Sequence, residues 1–199
     1  MGEIIKARQA FIIIAMALTL SGCGINDVPT KGEAARKAFA DLQAQYQRRA
    51  DLIPNLVETV KGYAAQEKDV LVGVTEARAK ATQVTIAPGD LSDPTKLQQF
   101  QEAQSGLSSA LSRLLVTVER YPELKSNQNF LALQDQLEGT ENRIAIAREN
   151  YNESVQGYNL EFSTIPDKWV TGAFHGDAKQ MQMFQASSAA QDAPKVSFN

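Results

Sequence analysis

The amino-acid sequence predicts an all-α protein: an antiparallel up-down-up-down helical bundle with two long helices, followed by an irregular C-terminal tail. Apolar residues recur at steps of three and four through most of the chain, which is the spacing of an amphipathic helix. The same stretches are rich in Ala, Leu, Gln, Glu, Lys and Arg, which favour helices. Four such stretches with brief links predict a bundle.

The chain begins with the features of an export signal. Lys6 and Arg8 precede a short apolar run at 11–18, and small residues stand immediately before Cys23. This order is typical of a secretory signal peptide. The residues Leu20-Ser21-Gly22-Cys23 resemble the lipobox of bacterial lipoproteins. The resemblance implies removal of the signal peptide, residues 1–22, and attachment of lipid to Cys23, with residues 23–30 as a tether.

Two alternatives to lipid attachment stay open, a plain anchor helix and a fully secreted form. The apolar stretch is about half of the roughly 20 residues that cross a membrane, which disfavours the anchor helix. The residue after the cysteine is Gly24 and not an aspartate. In the Gram-negative lipoprotein pattern this resembles export to the outer membrane, with the bundle on the extracytoplasmic side.

The first long helix is expected over 32–65. Pro54 lies inside it and removes one backbone hydrogen bond, so we expect either a tolerated kink or an opened groove. The apolar stripe of this helix comprises Phe39, Leu42, Tyr46, Ala50, Ile53, Val57, Val60 and Ala64.

A short helix is expected over 69–84 and a medium helix over 94–120. Asp93 and Pro94 are a typical helix start, with Asp as the cap and Pro at the first helical position. The stripe of the medium helix comprises Leu97, Phe100, Gln104, Leu107, Leu111, Leu114, Val118 and Tyr121.

The second long helix is expected over 127–164, with Ser126 or Asn127 as its cap. The bundle would therefore occupy 31–165 and the tail 166–199. Residues 186–193 are small and polar, and we expect them to be mobile. The apolar residues Val196 and Phe198 would either dock on the bundle or bind a partner.

Two long motifs resemble the LemA family. One is YQRRADLIPNLVETVKGY at 46–63, and the other is LEGTENRI at 137–144. Together with 121–125 and Asn129-Phe130, the similarity extends from about Cys23 to Phe174. It implies a small, membrane-attached bacterial protein with an antiparallel helical bundle, and no settled activity or site residues come with it. The insert at 180–193 departs from the usual pattern.

Composition excludes several classes of function. Cys23 is the single cysteine, so neither an intramolecular disulfide nor a cysteine metal site is possible. Loss of Glu3, Lys6 and Arg8 with the signal changes the formal net charge from −3 to −4. An acidic chain without a basic patch disfavours nucleic acid as a partner.

The sequence lacks the residues that the common catalytic sites require. A di-iron bundle needs Glu-x-x-His motifs, and the single histidine, His175, lies beyond the expected bundle. The pair Glu138 and Glu141 is a spacing that helices commonly show by chance. The sequence also lacks a glycine-rich phosphate loop, and no nucleophile–His–acid set is credible with that one histidine. We therefore expect no enzyme, no cofactor and no metal.

Polar residues interrupt the stripes of both long helices at one level of an antiparallel pair. The candidate polar layer comprises Arg49, Asp51, Asn55, Glu138, Glu141 and Asn142. We predict that Arg49 approaches Glu141 with Asn55 or Asn142 nearby, although Arg49 pointing outward stays open. The layer would either fix helix register or bind a ligand or partner.

These observations predict a lipid-anchored, non-catalytic bundle of the cell envelope that acts as a scaffold or interaction protein. Its expected partners are membrane lipid, through acylated Cys23, and an unidentified envelope protein. The alternative is an envelope sensor that binds a small ligand in the polar layer.

Overall fold

The computed structural model describes residues 25–185, and no strand occurs among them. The all-α bundle is confirmed. The helices are α1 (Asp27–Lys61), α2 (Lys68–Gln83), α3 (Pro94–Val118), α4 (Pro122–Lys125), α5 (Gln128–Leu160) and α6 (Asp167–Phe174), with a 3-10 helix at Pro88–Ser92. Cys23, residues 1–22 and residues 186–199, with Val196 and Phe198, lie outside the described residues.

The observed boundaries correct the predicted ones in three places. Helix α1 begins at Asp27, so residues 27–30, assigned to the tether, form its first turn. Pro29 is tolerated there because backbone N–H groups in a first turn have no partner within the helix. Helix α4 and helix α6 were not predicted, and α6 lies in the tail that was expected to be irregular.

The two long helices α1 and α5 pack against each other as an antiparallel pair, and α2 packs against both α1 and α3. At one end of the pair, Gly32 of α1 lies against the ring of Tyr158. At the other end, Asn127 Nδ2 donates to Tyr63 Oη at 2.8 Å. Helices α3 and α5 make fewer contacts with each other than these pairs do. The bundle is consequently more open between α3 and α5.

Two apolar clusters form the core. The upper cluster surrounds the N-terminal half of α1 and is rich in aromatic rings, including Phe39, Phe100 and Tyr151. The lower cluster surrounds the C-terminal half of α1 and is mostly aliphatic, with Ile53 and Leu107 among its members. Each large side chain that is fully buried contributes about 1.5–3 kcal/mol to stability. The clusters meet near Arg49.

Helix α1 is continuous across Pro54, whose own side chain is exposed. A proline has no N–H, so the carbonyl of Ala50, four residues earlier, loses its helical donor. Arg78 of α2 supplies a substitute, because its Nε donates to the Ala50 carbonyl at 2.7 Å. Of the two roles expected for Pro54, a tolerated kink and an opened groove, this contact favours the tolerated kink.

The chain after α6 returns along α5 as an extended segment, residues 178–185, whose Met181 and Phe184 side chains are buried. The Asn159 amide exchanges two hydrogen bonds with the backbone of Met181, each 2.9 Å long. The Asn152 amide does the same with the backbone of Phe184, at 3.0 and 2.9 Å. The upper half of the space between α3 and α5 is therefore filled by an extended segment of the chain itself.

Candidate functional site

The centre of the bundle contains a buried arginine. The side chain of Arg49 is 1% exposed and lies between the two apolar clusters. Its Nη1 donates to Glu141 Oε1 and to Ser108 Oγ, both at 2.8 Å. Its Nη2 donates to Gln104 Oε1 at 2.7 Å. A buried charge is tolerated only when it is paired and hydrogen-bonded, and these contacts supply both conditions.

Gln104 extends the network to a fourth helix. Its Nε2 donates to the carbonyl of Ala81 in α2 at 3.0 Å. The network therefore joins α1, α2, α3 and α5 at one level. The guanidinium carbon of Arg49 also lies 5.2 Å from the centre of the Tyr46 ring, within cation–π range. The expected register role of the layer is consistent with a network that fixes four helices together.

The electrostatics of the network are asymmetric. The Glu141 side chain is 45% exposed, so the carboxylate is partly hydrated while the guanidinium is not. Burial raises the pKa of the adjacent Tyr46, and the positive charges of Arg148 and Arg49 act in the opposite direction. Tyr46 is therefore a neutral member of the layer at physiological pH.

The contact expected between Arg49 and Glu141 is present, and Asn142 stands next to Glu141 on an exposed face. Asp51 and Asn55 do not join the layer. Asp51 is exposed and accepts from Gln47 Nε2 at 2.7 Å, while Asn55 is exposed and its carbonyl accepts from Thr59. The reason is helical geometry, because at 3.6 residues per turn neither position shares a face with Arg49.

Two members of the network, Gln104 and Ser108, were missed from the sequence. Gln104 occupies a core position of the α3 stripe between Phe100 and Leu107, and a polar side chain at such a position requires buried partners. That signal was available in the sequence. Ser108 gave no comparable signal, because exposed serines are frequent on α3.

A groove lies beside the network where α3 and α5 separate, with a volume of about 470 Å³. Leu111, Leu115 and Leu137 supply its apolar lining. The polar lining comprises Ser108, Ser112, Gln134, Glu138, Glu141 and Asn142. We call this space the α3–α5 groove. Two of the six candidate residues therefore border it without belonging to the buried network, namely Glu138 and Asn142.

The α3–α5 groove lies further along the same two helices, α3 and α5, that hold the end of the extended segment. The Gln185 carbonyl accepts from Gln101 of α3 at 2.8 Å and from Arg148 of α5 at 3.2 Å. Ser108 and Glu141 lie seven residues beyond these two donors along their helices, in the direction of the groove. Seven helical residues correspond to about 10 Å.

The part of the chain between residues 25 and 185 has no helix that is both long enough and apolar enough to cross a membrane. Within the same residues, His, Asp and Glu side chains do not form a group of three or more that is suited to a metal ion.

Comparison with known proteins places the chain among bacterial relatives. Magnetosome protein MamQ 2 of Paramagnetospirillum magneticum is 27% identical over 180 residues, covering 82% of this chain and 65% of that protein. Magnetosome protein MamQ of Magnetospirillum gryphiswaldense is 26% identical over 203 residues, covering 94% and 74%. Protein LemA of Metamycoplasma hominis is 25% identical over 186 residues, covering 90% and 80%.

The chain thus spans about two thirds, 65%, of the length of the Paramagnetospirillum protein. The model of the LemA family matches residues 38–198, a range that contains the Arg49 network, the α3–α5 groove and the extended segment. The chain belongs to the LemA family.

Proposed function

We propose that this protein is a lipid-anchored, non-catalytic interaction module of the bacterial cell envelope. Acylated Cys23 holds the bundle at the extracytoplasmic face of a membrane, the outer one if the cell is Gram-negative. The α3–α5 groove binds an extended segment of an envelope protein. The observation that carries the proposal is that α3 and α5 already hold an extended segment, up to Gln185, and line the open groove about 10 Å further along the same two helices.

The bound segment shows how side chains of α5, outside the α3–α5 groove, hold an extended polypeptide. Asn152 and Asn159 pair with backbone groups of residues 184 and 181, so these contacts do not depend on side-chain identity. The side chains of Met181 and Phe184 are both buried in the upper apolar cluster. Backbone pairing combined with side-chain pockets is the general way in which extended peptides are bound.

The charge of the groove lining further restricts which segments can bind. Glu138 and Glu141 line the α3–α5 groove, and its lining includes no Lys or Arg. Leucine side chains form its floor. We therefore expect the partner segment to carry apolar residues next to Lys or Arg, because such a segment matches both the apolar and the acidic lining.

Site-specific photo-crosslinking in cells tests the proposal. The crosslinker replaces Asn142 in the groove, and a matched control replaces Val72, which is exposed on α2 outside it. We expect the groove position alone to give a discrete adduct, whose linked peptide mass spectrometry identifies. The corresponding synthetic peptide is then expected to bind the purified chain, and Glu138→Lys is expected to weaken that binding at least about tenfold, or 1.4 kcal/mol.

Equal adducts at both positions would count against the groove. A linked peptide that binds wild type and Glu138→Lys equally would do the same. The control substitution Asp51→Lys makes the same charge reversal on the outer face of α1 and is expected to leave binding unchanged.

A small-ligand sensor is the second candidate, and one observation favours it. Arg49 Nε is buried, and no residue between 25 and 185 accepts a hydrogen bond from it. A small acceptor bound beside Glu141 would satisfy this donor. Small carboxylates are the appropriate probes, and the sensor hypothesis expects them to raise the melting temperature of wild type but not of Arg49→Lys, whose side chain has no Nε–H donor.

A further inference from the structure

Helix α6 exposes large apolar side chains. Trp169 in α6 is 67% exposed, Phe174 at its end is 64% exposed, and Ile165 just before it is 67% exposed. They lie within ten residues of each other, together with exposed Ala173, which is on the same face as Trp169. Several large apolar side chains exposed close together indicate a surface that contacts a membrane or another protein. We call the side chains of Ile165, Trp169 and Phe174 the α6 apolar patch.

The α6 apolar patch is fixed at the end of the bundle where α1 begins. Thr171 Oγ1 donates to the Glu161 carbonyl at 2.9 Å, which holds α6 against the end of α5. The buried Glu161 carboxylate pairs with Lys31 of α1. His175 Nε2 lies 2.7 Å from the carbonyl oxygen of Ile25. The first described residue is therefore in direct contact with the end of α6.

The position of Ile25 relates the patch to the membrane. Cys23 precedes Ile25 by two residues, which span at most about 7 Å. A diacylated Cys23 would place its lipid chains in the bilayer and its backbone at the bilayer surface. The end of the bundle that carries α6 would then meet the headgroups, whereas the opposite end, near Lys61, lies about 50 Å away along α1.

We propose that α6 lies in the lipid–water interface and inserts the α6 apolar patch among the acyl chains. The inference rests on the lipid attachment contained in the proposed function. Tryptophan prefers this interface because its ring is apolar and its indole N–H is polar. The charges of α6 and of the residues just after it, Asp167, Lys168, Asp177 and Lys179, cancel. Apolar contact rather than attraction to anionic lipid is consequently the main source of binding, and it adds a second membrane contact to the anchor.

Trp169 is the single tryptophan of the chain, so tryptophan emission reports on the patch alone. The acylated full-length mature protein is reconstituted in phosphatidylcholine vesicles with and without lipids brominated near the headgroup end of the acyl chains. We expect brominated lipid to quench the emission of Trp169. We expect Ile165→Asn with Phe174→Asn to reduce this quenching, and the matched change of exposed Val72 and Val116 to Asn to leave it unaltered.

Mass spectrometry of the same sample separates this inference from the proposed function. If Cys23 is acylated but brominated lipid leaves Trp169 emission unchanged, the interfacial position of α6 is wrong and the anchor stands. If Cys23 carries no lipid, the anchor is wrong, and added vesicles then test α6 alone. Quenching in that unacylated sample supports the lipid contact, and its absence contradicts it. Equal quenching with and without the Asn substitutions would also overturn the inference.

Discussion

Arg49 lies at the centre of the hydrogen-bond network that joins α1, α2, α3 and α5. Its guanidinium lies where aromatic and aliphatic clusters meet, and its hydrogen bonds reach α3 and α5 directly. Replacing a buried charged network by apolar residues is often neutral or stabilising, so the network is not evidence of stability by itself. Removing one member is different, because the partners are then left unpaired in the core.

We predict that Arg49→Ala lowers the free energy of unfolding by about 3–5 kcal/mol, because it strands buried Gln104 and leaves a cavity. Glu141→Ala should cost less, about 1–3 kcal/mol, since the carboxylate is partly exposed and Arg49 keeps its contacts with α3. Urea denaturation of both variants and of the double variant gives the coupling energy. We expect it to exceed about 1 kcal/mol.

The exposed neighbour Asp51 provides the control for that cycle. Asp51→Ala should change stability by no more than about 0.5 kcal/mol, because its described contact is with Gln47 on the outer face. A coupling energy near zero between Arg49 and Glu141 would show that the pair does not hold α1 and α5 together.

A second prediction concerns Arg78 and the carbonyl that Pro54 leaves without a donor. Arg78→Ala should destabilise by about 1–3 kcal/mol, because the buried Ala50 carbonyl would lose its partner. In a Pro54→Ala background the new N–H is available to that carbonyl, so Arg78→Ala should cost much less. Chemical denaturation of wild type, Arg78→Ala, Pro54→Ala and the double variant measures the cost of Arg78→Ala in each background. Equal costs in both backgrounds would contradict the compensation.

At the scale of the element, the extended segment 178–185 depends on two asparagines of α5. We predict that Asn152→Ala with Asn159→Ala releases the segment without unfolding the bundle. Amide hydrogen exchange should show lost protection at Met181 and Phe184 and retained protection within α1. Asn150→Ala is the control, because Asn150 is exposed and contacts none of these residues through its side chain. Unchanged protection at Met181 would show that apolar burial alone holds the segment.

The same segment should respond to alkaline pH. Burial raises the pKa of Tyr151 and of Tyr158 above 10.0, and their hydroxyls donate to the carbonyls of Gln182 and Lys179. Unfolded tyrosines lose their protons near pH 10 while the folded ones keep them. This stabilisation is therefore complete below about pH 10 and is lost as pH rises through the folded-state pKa values.

We accordingly expect the urea midpoint to be lower at about pH 11 than at about pH 9, and this decrease to be smaller when Tyr151 and Tyr158 are both changed to Phe. Tyr63→Phe, at an exposed ring, should keep the wild-type dependence. A pH dependence that is identical in all three chains would contradict the role of the buried hydroxyls.

The elements differ in how far the sequence predicts them. The four main helices carry apolar stripes and are found within a few residues of their expected ranges, except for the earlier start of α1. The antiparallel pairing of the long helices was sufficient to predict the Arg49–Glu141 contact. Helix α6 has only eight residues, too few for a recognisable stripe, and the extended segment is held by hydrogen bonds to distant residues such as Asn152. Such contacts leave no local pattern.

At the scale of the whole molecule, the described features are arranged along one axis. Helix α6 and the start of α1 are at one end, the Arg49 network is at the centre, and the α3–α5 groove extends from the centre toward the other end. A lipid-bound Cys23 would orient this axis relative to the membrane. The groove would then face the space beyond the headgroups, where an envelope protein is accessible.

The position of the protein at a membrane is the central claim, and metabolic labelling with a fatty acid tests it most directly. The full-length chain and its Cys23→Ala variant are expressed in a bacterial host, labelled and separated by mass. We predict label on the wild type alone, together with removal of residues 1–22, and a longer, unlabelled Cys23→Ala chain. Equal labelling of both chains, or none on the wild type, would contradict the account.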